Sequence, residues 1–185
     1  KELQITKAGL DVLEPYRVKR AVILAAGFGS RMVPITLNTP KPLVRVHGKM
    51  IVETLLDAIT KAGIPEIILV RGYLWEQFDV LKHNYPNIQF LYNPLFNEAN
   101  NISSAYCATD LLQNAYVCEA DLLLSNPYLI RKYEYHSNYL GQYKEYTDDW
   151  CFQVKRGIIK DLTVGGTNCY HMYGISYWDK QDGLR

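Results

Sequence analysis

Residues 21–31 decide the fold, and they read AVILAAGFGSR. The six apolar residues at 21–26 predict a short strand that is buried on both faces, as in a parallel sheet. Two glycines, Gly27 and Gly29, follow at once. In open α/β sheets, ligands bind beyond the carboxyl ends of the strands, and glycine lets backbone N–H groups approach an anion closely. The stretch therefore predicts a phosphate-binding loop at one edge of a mostly parallel sheet.

Strands and helices alternate from this point to about residue 120. Further strands are predicted at 66–70, 88–92 and 115–120, and helices at 51–62, 74–85 and 102–112. This spacing indicates βαβ units with right-handed crossovers. Short strand-like segments follow around 139–143, 150–154, 158–162 and 173–178. The predicted fold class is α/β: a Rossmann-like three-layer α/β/α domain with a mostly parallel central sheet and a small mixed β cap after about residue 138.

Composition excludes several classes of protein. The chain has 185 residues, of which 20 are Lys or Arg and 19 are Asp or Glu, so its formal net charge is +1. A balance this even argues against a strongly cationic nucleic-acid binder. No apolar run reaches the roughly 18 residues of a membrane span. We therefore expect a cytoplasmic protein with neither a nucleic-acid nor a membrane partner, and the oligomeric state stays open.

The cysteines argue against a zinc site, because no two of them have CxxC spacing. Reduced thiols of a cytosolic protein are the expectation for all four. They are Cys107, Cys118, Cys151 and Cys169.

The glycine loop departs from two well-known phosphate motifs. It lacks the Gly-Lys-Ser/Thr ending of a P-loop, and Met32 stands where a dinucleotide fingerprint has its third glycine. A dehydrogenase is therefore disfavoured. Two cations belong to the same region: Arg31 ends the loop, and Lys41 stands between Pro40 and Pro42. Because proline fixes φ, Lys41 is held on a stiff segment from which its charge can be aimed at a polyphosphate.

An acidic triplet, Glu119-Ala120-Asp121, ends the strand predicted at 115–120. Parallel topology places its end at the same sheet edge as the glycine loop. A carboxylate beside phosphates suits Mg²⁺, which takes one or two carboxylates together with phosphate oxygens and waters. Asp121 is therefore the candidate metal ligand, and the plainer alternative is a residue that caps the next turn.

Taken together, these motifs resemble the nucleoside-triphosphate-transferase family. They are LAAGFGSRM at 24–32, TPKPL at 39–43 and EAD at 119–121. A closer resemblance is to the bacterial CTP:phosphocholine cytidylyltransferases, and it rests on GYLWEQF at 72–78, NP at 93–94, NEANNISS at 97–104, DDW at 148–150 and GISYW at 174–178. It covers residues 19–178.

The resemblance also suggests a domain organisation. Residues 1–18 are similar to the end of a winged-helix module, or form a linker. Residues 19–185 are then the nucleotidyltransferase domain. We expect this domain to be truncated at its C-terminus, with domains fused or lost on either side.

The resemblance implies roles for individual residues. Arg31 would neutralise the leaving pyrophosphate, Lys41 would stabilise charge at the α-phosphate, and Asp121 would hold Mg²⁺; these three are the catalytic candidates. Relatives take a second metal carboxylate from a later strand, for which Asp179 is the last candidate before Arg185. The remaining nucleotide contacts implied near the phosphates are Ala25, Ala26, Gly27, Gly29, Ser30 and Ala120.

Two further sets of residues would recognise the base and the acceptor. Asn100, Asn101 and Ser103 offer the amide and hydroxyl groups that cytosine needs, although the same residue types also cap helices. Trimethylammonium is bound by aromatic faces with carboxylates nearby. The acceptor candidates are Asp149, Trp150 and Tyr173.

The function that the resemblance implies is Mg²⁺-dependent transfer of CMP from CTP to phosphocholine, which gives CDP-choline and pyrophosphate. One alternative keeps the reaction and takes aminoethylphosphonate or a sugar 1-phosphate as acceptor. An alternative of another class is a catalytically inactive nucleotide-binding regulatory module.

Overall fold

A six-stranded sheet forms the centre of the computed structural model, which describes residues 4–99 and 101–184. Its strands and those of a small ribbon are β1 (Arg20–Ala25), β2 (Arg45–Val46), β3 (Lys49–Met50), β4 (Glu66–Arg71), β5 (Ile88–Tyr92), β6 (Ala115–Glu119), β7 (Asn138–Lys155) and β8 (Ile158–Trp178). The α-helices of the described residues are α1 (Lys7–Leu13), α2 (Ile51–Ala62) and α3 (Asn101–Cys107).

The strand order of the central sheet is β5-β4-β1-β6-β8-β7. The first four of these strands are mutually parallel, whereas β8 and β7 each pair antiparallel with their neighbour. At the end of β1, Leu24 pairs with Glu119 and Ala25 pairs with Arg71. The carboxyl ends of β1, β4 and β6 therefore meet at one edge. The predicted α/β fold with a mostly parallel sheet is confirmed.

Both faces of β1 are buried, as its apolar run predicts. Ala21 and Ile23 face the larger core, which α2 completes with residues such as Leu55. Val22 faces a smaller cluster on the other side of the sheet, which includes Ala108 just after α3. Each fully buried aliphatic side chain contributes about 1.5–3 kcal/mol. Helical segments therefore cover the sheet on two sides and make three layers.

Helix α2 has the bounds that its apolar stripe predicts. At its start the backbone N–H of Met50 donates to Oε2 of Glu53 over 2.8 Å. At its end Gly63 adopts a left-handed conformation with φ of 72°. Glycine reaches that region without the steric cost that other residues bear, so the helix stops there.

Two predicted helices take a different form. The segment predicted at 74–85 is a 3₁₀ helix over Trp75–His83. Its buried side chains, Phe78 and Leu81, are three residues apart, and the three-residue turn of a 3₁₀ helix aligns them on one face. The segment predicted at 102–112 divides into α3 and a 3₁₀ turn at Thr109–Leu111.

The C-terminal β structure is also more continuous than predicted. The four short segments merge into two long strands, β7 and β8, joined at Arg156 and Gly157. This hairpin extends the central sheet, and its outer part folds back, so that Cys151 pairs with both Thr163 and His171. Sequence patterning did not reveal this because the polar and apolar residues of an exposed, strongly bent hairpin do not alternate regularly.

The first residues are attached to the domain through the segment after α1. The described part of that helix buries no side chain. Next, the backbone N–H of Val18 donates to the Lys132 carbonyl over 3.0 Å, and that of Lys19 donates to the Asn114 carbonyl over 2.9 Å. The assignment of residues 1–18 to a winged-helix remnant or linker stays a prediction.

Within residues 4–99 and 101–184, no helix has the length and apolarity that a bilayer crossing requires.

All four cysteines are free thiols, as expected. Cys107 is partly buried, and the other three are buried.

Candidate active site

The glycine loop leaves β1 at the sheet edge and turns at Gly29, whose φ is +64°. A Cβ at this position would lie 3.0 Å from Cβ of Lys41 and 3.1 Å from Cγ2 of Thr36. Thr36 is buried, and its hydroxyl donates to the Gly29 carbonyl over 2.9 Å. Gly27 differs, because a Cβ there would meet open space. Gly29 is thus required by the fold, whereas the space at Gly27 stays free for a ligand.

This contrast makes a matched pair of variants. Gly29→Ala should lower the free energy of unfolding by about 1–2 kcal/mol, because alanine is strained at a left-handed φ and its Cβ would be crowded against Lys41 and Thr36. Gly27→Ala should change it by less than about 0.5 kcal/mol, since nothing opposes the added methyl group. Urea unfolding of both variants measures the difference, and equal losses would contradict the different roles assigned to the two glycines.

Lys41 and Asp121 form an ion pair across the edge of the sheet, with Nζ 2.5 Å from Oδ2. Lys41 begins a 3₁₀ turn whose next residue, Pro42, is buried, which anchors the stiff segment predicted from the two prolines. Asp121 follows β6, whose end is held to β1 because the Ala120 N–H donates to the Leu24 carbonyl over 3.1 Å. Both side chains stay partly exposed, so the pair faces a cleft that solvent can enter.

That cleft has a volume of about 280 Å³. It is lined by most of the residues for which the sequence implied a role in binding the nucleotide: Ala25, Gly27, Gly29, Ser30, Arg31, Lys41, Asn101, Ala120 and Asp121. Leu24, Met32 and Pro42 line it as well. Ala26 lies outside the lining, and its carbonyl accepts a hydrogen bond from the Tyr73 N–H over 3.1 Å.

Glu119 also lines the cleft, a position that the sequence motifs did not predict. Its Oε1 accepts a hydrogen bond from Nδ2 of Asn101 over 3.3 Å. Gly174 lies directly beneath it, since a Cβ there would be 2.7 Å from Oε2. Burial raises the pKa of Glu119; the charges of Asp121 and Asp149 add to the rise, while Asn101 and Lys41 oppose it. Glu119 has a place in the EAD motif, but only the packed sheet shows that its side chain turns into the cleft.

The residues assigned to cytosine are separated. Asn101 is exposed at the start of α3, on the cleft. Ser103 is buried, and its hydroxyl accepts a hydrogen bond from Nδ2 of Asn93 over 2.9 Å, away from the cleft lining. Asn100 lies outside the described residues. Of the set, Asn101 is the one that the described structure places on the cleft.

The acceptor candidates lie on the hairpin and not in the cleft lining. Trp150 is 50% exposed on β7, and its backbone N–H donates to Oδ1 of Asp149 over 2.7 Å. Asp149 is exposed as well, and its charge makes a small contribution to the raised pKa of Glu119. Tyr173 lines a separate groove beyond Asp121 and donates its hydroxyl to Oε1 of Gln142 over 2.8 Å.

The second metal carboxylate is not Asp179. Because β8 runs antiparallel to β6, Trp178 pairs with Ala115 at the amino end of β6. Asp179 therefore lies a full strand length away from Asp121, and two ligands of one ion must be within a few ångströms of each other. No group of three or more His, Cys, Asp or Glu side chains converges as a metal site within residues 4–99 and 101–184.

A comparison with known protein families decides which family has this arrangement of loop, cations and acidic strand end. The MobA-like NTP transferase domain matches residues 21–140, which include the glycine loop, Lys41 and Asp121. The chain belongs to this family. The resemblance drawn from the sequence motifs is confirmed, and so is the expectation that the glycine loop is that of an NTP transferase and not of a dehydrogenase.

Relatives of this NTP transferase point to one kind of transferred group. A 2-aminoethylphosphonate cytidylyltransferase of Lancefieldella rimae is 40% identical over 169 residues, which are 89% of this chain and 69% of that protein. A choline-phosphate cytidylyltransferase of Streptococcus pneumoniae is 36% identical over 162 residues, or 86% of this chain and 70% of that protein. These matches support an enzyme of the cytidylyltransferase type.

A solved structure agrees with the sequence relatives. The CTP:phosphocholine cytidylyltransferase from Streptococcus pneumoniae superposes with a TM-score of 0.84 at 36% identity, covering 90% of this chain and 73% of that one. The Rossmann-like α/β architecture of this NTP transferase is thereby confirmed. One relative is named for aminoethylphosphonate and another for choline phosphate, so the relatives do not agree on the acceptor.

Proposed function

We propose that this chain transfers CMP from CTP to a small acceptor that has a phosphate or phosphonate at one end and a cationic amine at the other, with Mg²⁺ as cofactor. The observation that carries the proposal is the Lys41–Asp121 pair, with Nζ 2.5 Å from Oδ2, at the glycine loop. It joins a cation for phosphate and a carboxylate for a metal ion in one cleft. The cytidylyltransferase relatives support the choice of CTP.

The triphosphate would lie along the glycine loop. Backbone N–H groups near Gly27 have open space in front of them and can donate to phosphate oxygens. Arg31 is exposed at the same cleft, where its guanidinium would neutralise the leaving pyrophosphate. Lys41 would move its ammonium from Asp121 to the α-phosphate. Asn101, exposed at the mouth, is suited to bind the cytosine amide edge.

The donors at the end of β6 fit Mg²⁺. Asp121 and Glu119 are two oxygen donors on one cleft wall, and Mg²⁺ is held by one or two carboxylates together with substrate phosphates and water. Asp121 is the ligand we assign. Glu119 lies close enough to it that the charge of Asp121 helps to raise the pKa of Glu119. When held by Asp121, the ion would neutralise part of the negative charge that develops during transfer.

The chemistry needs little covalent help from the protein. An oxygen of the acceptor phosphate attacks the α-phosphorus of CTP in line, a new P–O bond forms, and the bond to the bridging oxygen of pyrophosphate breaks. The attacking oxygen is already anionic at neutral pH, so no general base is required. The protein supplies position and electrostatic stabilisation through Arg31 and Lys41, as in other phosphoryl transfers.

Two acceptors compete, and a different observation favours each. Phosphocholine is favoured by Trp150, whose half-exposed ring is available to a trimethylammonium group, with Asp149 beside it. Aminoethylphosphonate is favoured by Glu119, because a primary ammonium can donate hydrogen bonds to a carboxylate on the cleft wall. A sugar 1-phosphate is disfavoured, since neither residue supplies the several neutral polar groups that sugar hydroxyls need.

The test is an assay of pyrophosphate release with Mg²⁺ in which nucleotide and acceptor are varied separately. CTP should exceed ATP, UTP and dTTP, and phosphocholine or aminoethylphosphonate should exceed glucose 1-phosphate. A higher kcat/KM for phosphocholine would favour Trp150 as the main contact of the amine, and a higher value for aminoethylphosphonate would favour Glu119. CTP binding without pyrophosphate release from any acceptor would overturn the proposal and support an inactive nucleotide-binding module.

Glu119→Gln separates the two acceptors further. If the carboxylate contacts a primary ammonium, KM for aminoethylphosphonate should rise about tenfold, the usual worth of a hydrogen bond to a charged group. The effect should grow as the pH rises. Because the pKa of Glu119 is raised, its carboxyl group loses its proton at a higher pH than an ordinary glutamate does, and only the ionised form attracts the ammonium. KM for phosphocholine should rise less. Glu145→Gln, an exposed glutamate of the hairpin, is the matched control.

A further inference from the structure

An aromatic cluster, consisting of Phe28, Tyr73 and Phe96, includes the middle residue of the glycine loop and is not part of the cleft lining. The ring of Phe28 stacks on that of Tyr73 with centroids 4.1 Å apart and planes 25° apart. The ring of Phe96 is 6.0 Å from that of Phe28. Phe28 is still 48% exposed, so burial alone does not explain why an aromatic ring stands between Gly27 and Gly29.

The cluster is tied to the rest of the protein through Tyr73. Its backbone N–H donates to the Ala26 carbonyl over 3.1 Å, and its hydroxyl donates to the Leu37 carbonyl over 3.0 Å. These bonds hold Tyr73 to both ends of the segment that contains the glycine loop. Phe28 is thus stacked on a ring whose position is set by the loop's own flanks.

Phe96 connects the cluster with the segment that precedes α3. It packs on Gly72 so closely that a Cβ there would lie 2.5 Å from Cβ of Phe96. The segment containing Phe96 leads into α3, where Asn101 lines the cleft. The cluster therefore touches both the loop that would bind the triphosphate and the segment that leads to the proposed base contact.

We propose that Phe28 is a positioning residue for nucleotide binding: its stack on Tyr73 holds the glycine loop in the conformation that presents its N–H groups to phosphates. The proposal rests on the proposed function for the identity of the nucleotide. The physical reason is entropic. Two glycines give the loop many conformations, and a ligand must order them on binding unless a side chain has already done so. Phe28 is the one side chain between those glycines.

Loss of the stack should weaken binding of any ligand whose phosphates use the loop. An aromatic pair of this kind changes an equilibrium by roughly three- to tenfold. Phe28→Leu should therefore raise Kd for CTP and for Mg²⁺-pyrophosphate, and KM for CTP, by that factor. KM for the acceptor and kcat should change less than twofold, because Phe28 is not among the residues that line the cleft.

The experiment measures binding of CTP and of Mg²⁺-pyrophosphate to the parent chain and to Phe28→Leu, Tyr73→Leu and the double variant. We expect the double variant to lose little more than Tyr73→Leu alone, since Phe28→Leu breaks only the stack that Tyr73→Leu has already removed. Phe28→Tyr should restore parental binding because it restores a ring. Tyr135→Leu is the control, as Tyr135 is an exposed ring that contacts Tyr16 outside the cleft.

Each outcome decides something. Additive losses, or an unchanged Kd in Phe28→Leu, would overturn the positioning role even if the parent chain is an active cytidylyltransferase. If pyrophosphate binding depends on Phe28 but the chain does not prefer CTP over other nucleotides, the positioning role of Phe28 is upheld and the proposed function fails. A parent chain that binds neither probe would overturn both proposals.

Discussion

Lys41→Met should lower kcat for CMP transfer by about 10²–10³-fold, the usual cost of removing one group that stabilises transition-state charge. Methionine keeps the length and apolar stem of the side chain, so the loss reports the ammonium. In the structure that ammonium is 2.5 Å from the Asp121 carboxylate at the glycine loop, on a segment anchored by the buried Pro42. Because it is already at the cleft, little reorganisation is needed for it to reach the α-phosphate.

The measurement is single-turnover pyrophosphate release at saturating CTP and acceptor. Lys49→Met is the matched control, because Lys49 also pairs with an aspartate, Asp57, but beside the amino ends of β4 and β5. It should retain parental kcat. A Lys41→Met protein that is folded and turns over at more than a tenth of the parental rate would refute the role given to this lysine.

Asp121→Asn should lower turnover by about 10²-fold and raise the Mg²⁺ concentration needed for half-maximal activity. The amide has the shape of the carboxylate but no charge, and it is a poor ligand for a hard cation. The same change removes a negative charge from the cleft in which we propose that the triphosphate binds. Without divalent cations, the variant should therefore bind CTP no more weakly than the parent chain does.

This crossed behaviour distinguishes a metal ligand from a residue that only supports the fold. CTP binding is measured with Mg²⁺ and with chelator, and activity is followed as a function of Mg²⁺ concentration. Asp57→Asn, which loses a paired carboxylate far from the cleft, is the control. If Asp121→Asn weakens CTP binding equally with and without Mg²⁺, or leaves the Mg²⁺ dependence unchanged, Asp121 does not hold the ion.

Local sequence patterns predicted the elements that build the sheet. The apolar run at 21–26 became β1, the stripe at 51–62 became α2 with its end at Gly63, and the run at 88–92 became β5. These predictions succeeded because burial on two faces, amphipathic periodicity and left-handed glycine are properties of the nearest few residues. The glycine loop followed for the same reason, as it adjoins a strand that the pattern identifies.

Contacts between distant segments decided what local patterns could not. The Lys41–Asp121 pair joins residues 80 apart, and the turn of the Glu119 carboxylate into the cleft depends on Gly174 beneath it. Asp179 failed as a metal candidate because only strand pairing shows that β8 runs against β6. The fold-back of β7 and β8 and the stack of Phe28 on Tyr73 likewise arise in three dimensions.

The sequence alone thus determined the class of fold, the place of the glycine loop after β1 and the charged residues Arg31 and Lys41 near it, because these depend on residue type and short spacing. Tertiary structure alone decided which carboxylates share the cleft, which of the proposed base contacts reaches it, and how the hairpin approaches it. Those relations depend on strand direction and on side-chain packing between segments that are far apart in the chain, and no local pattern encodes either.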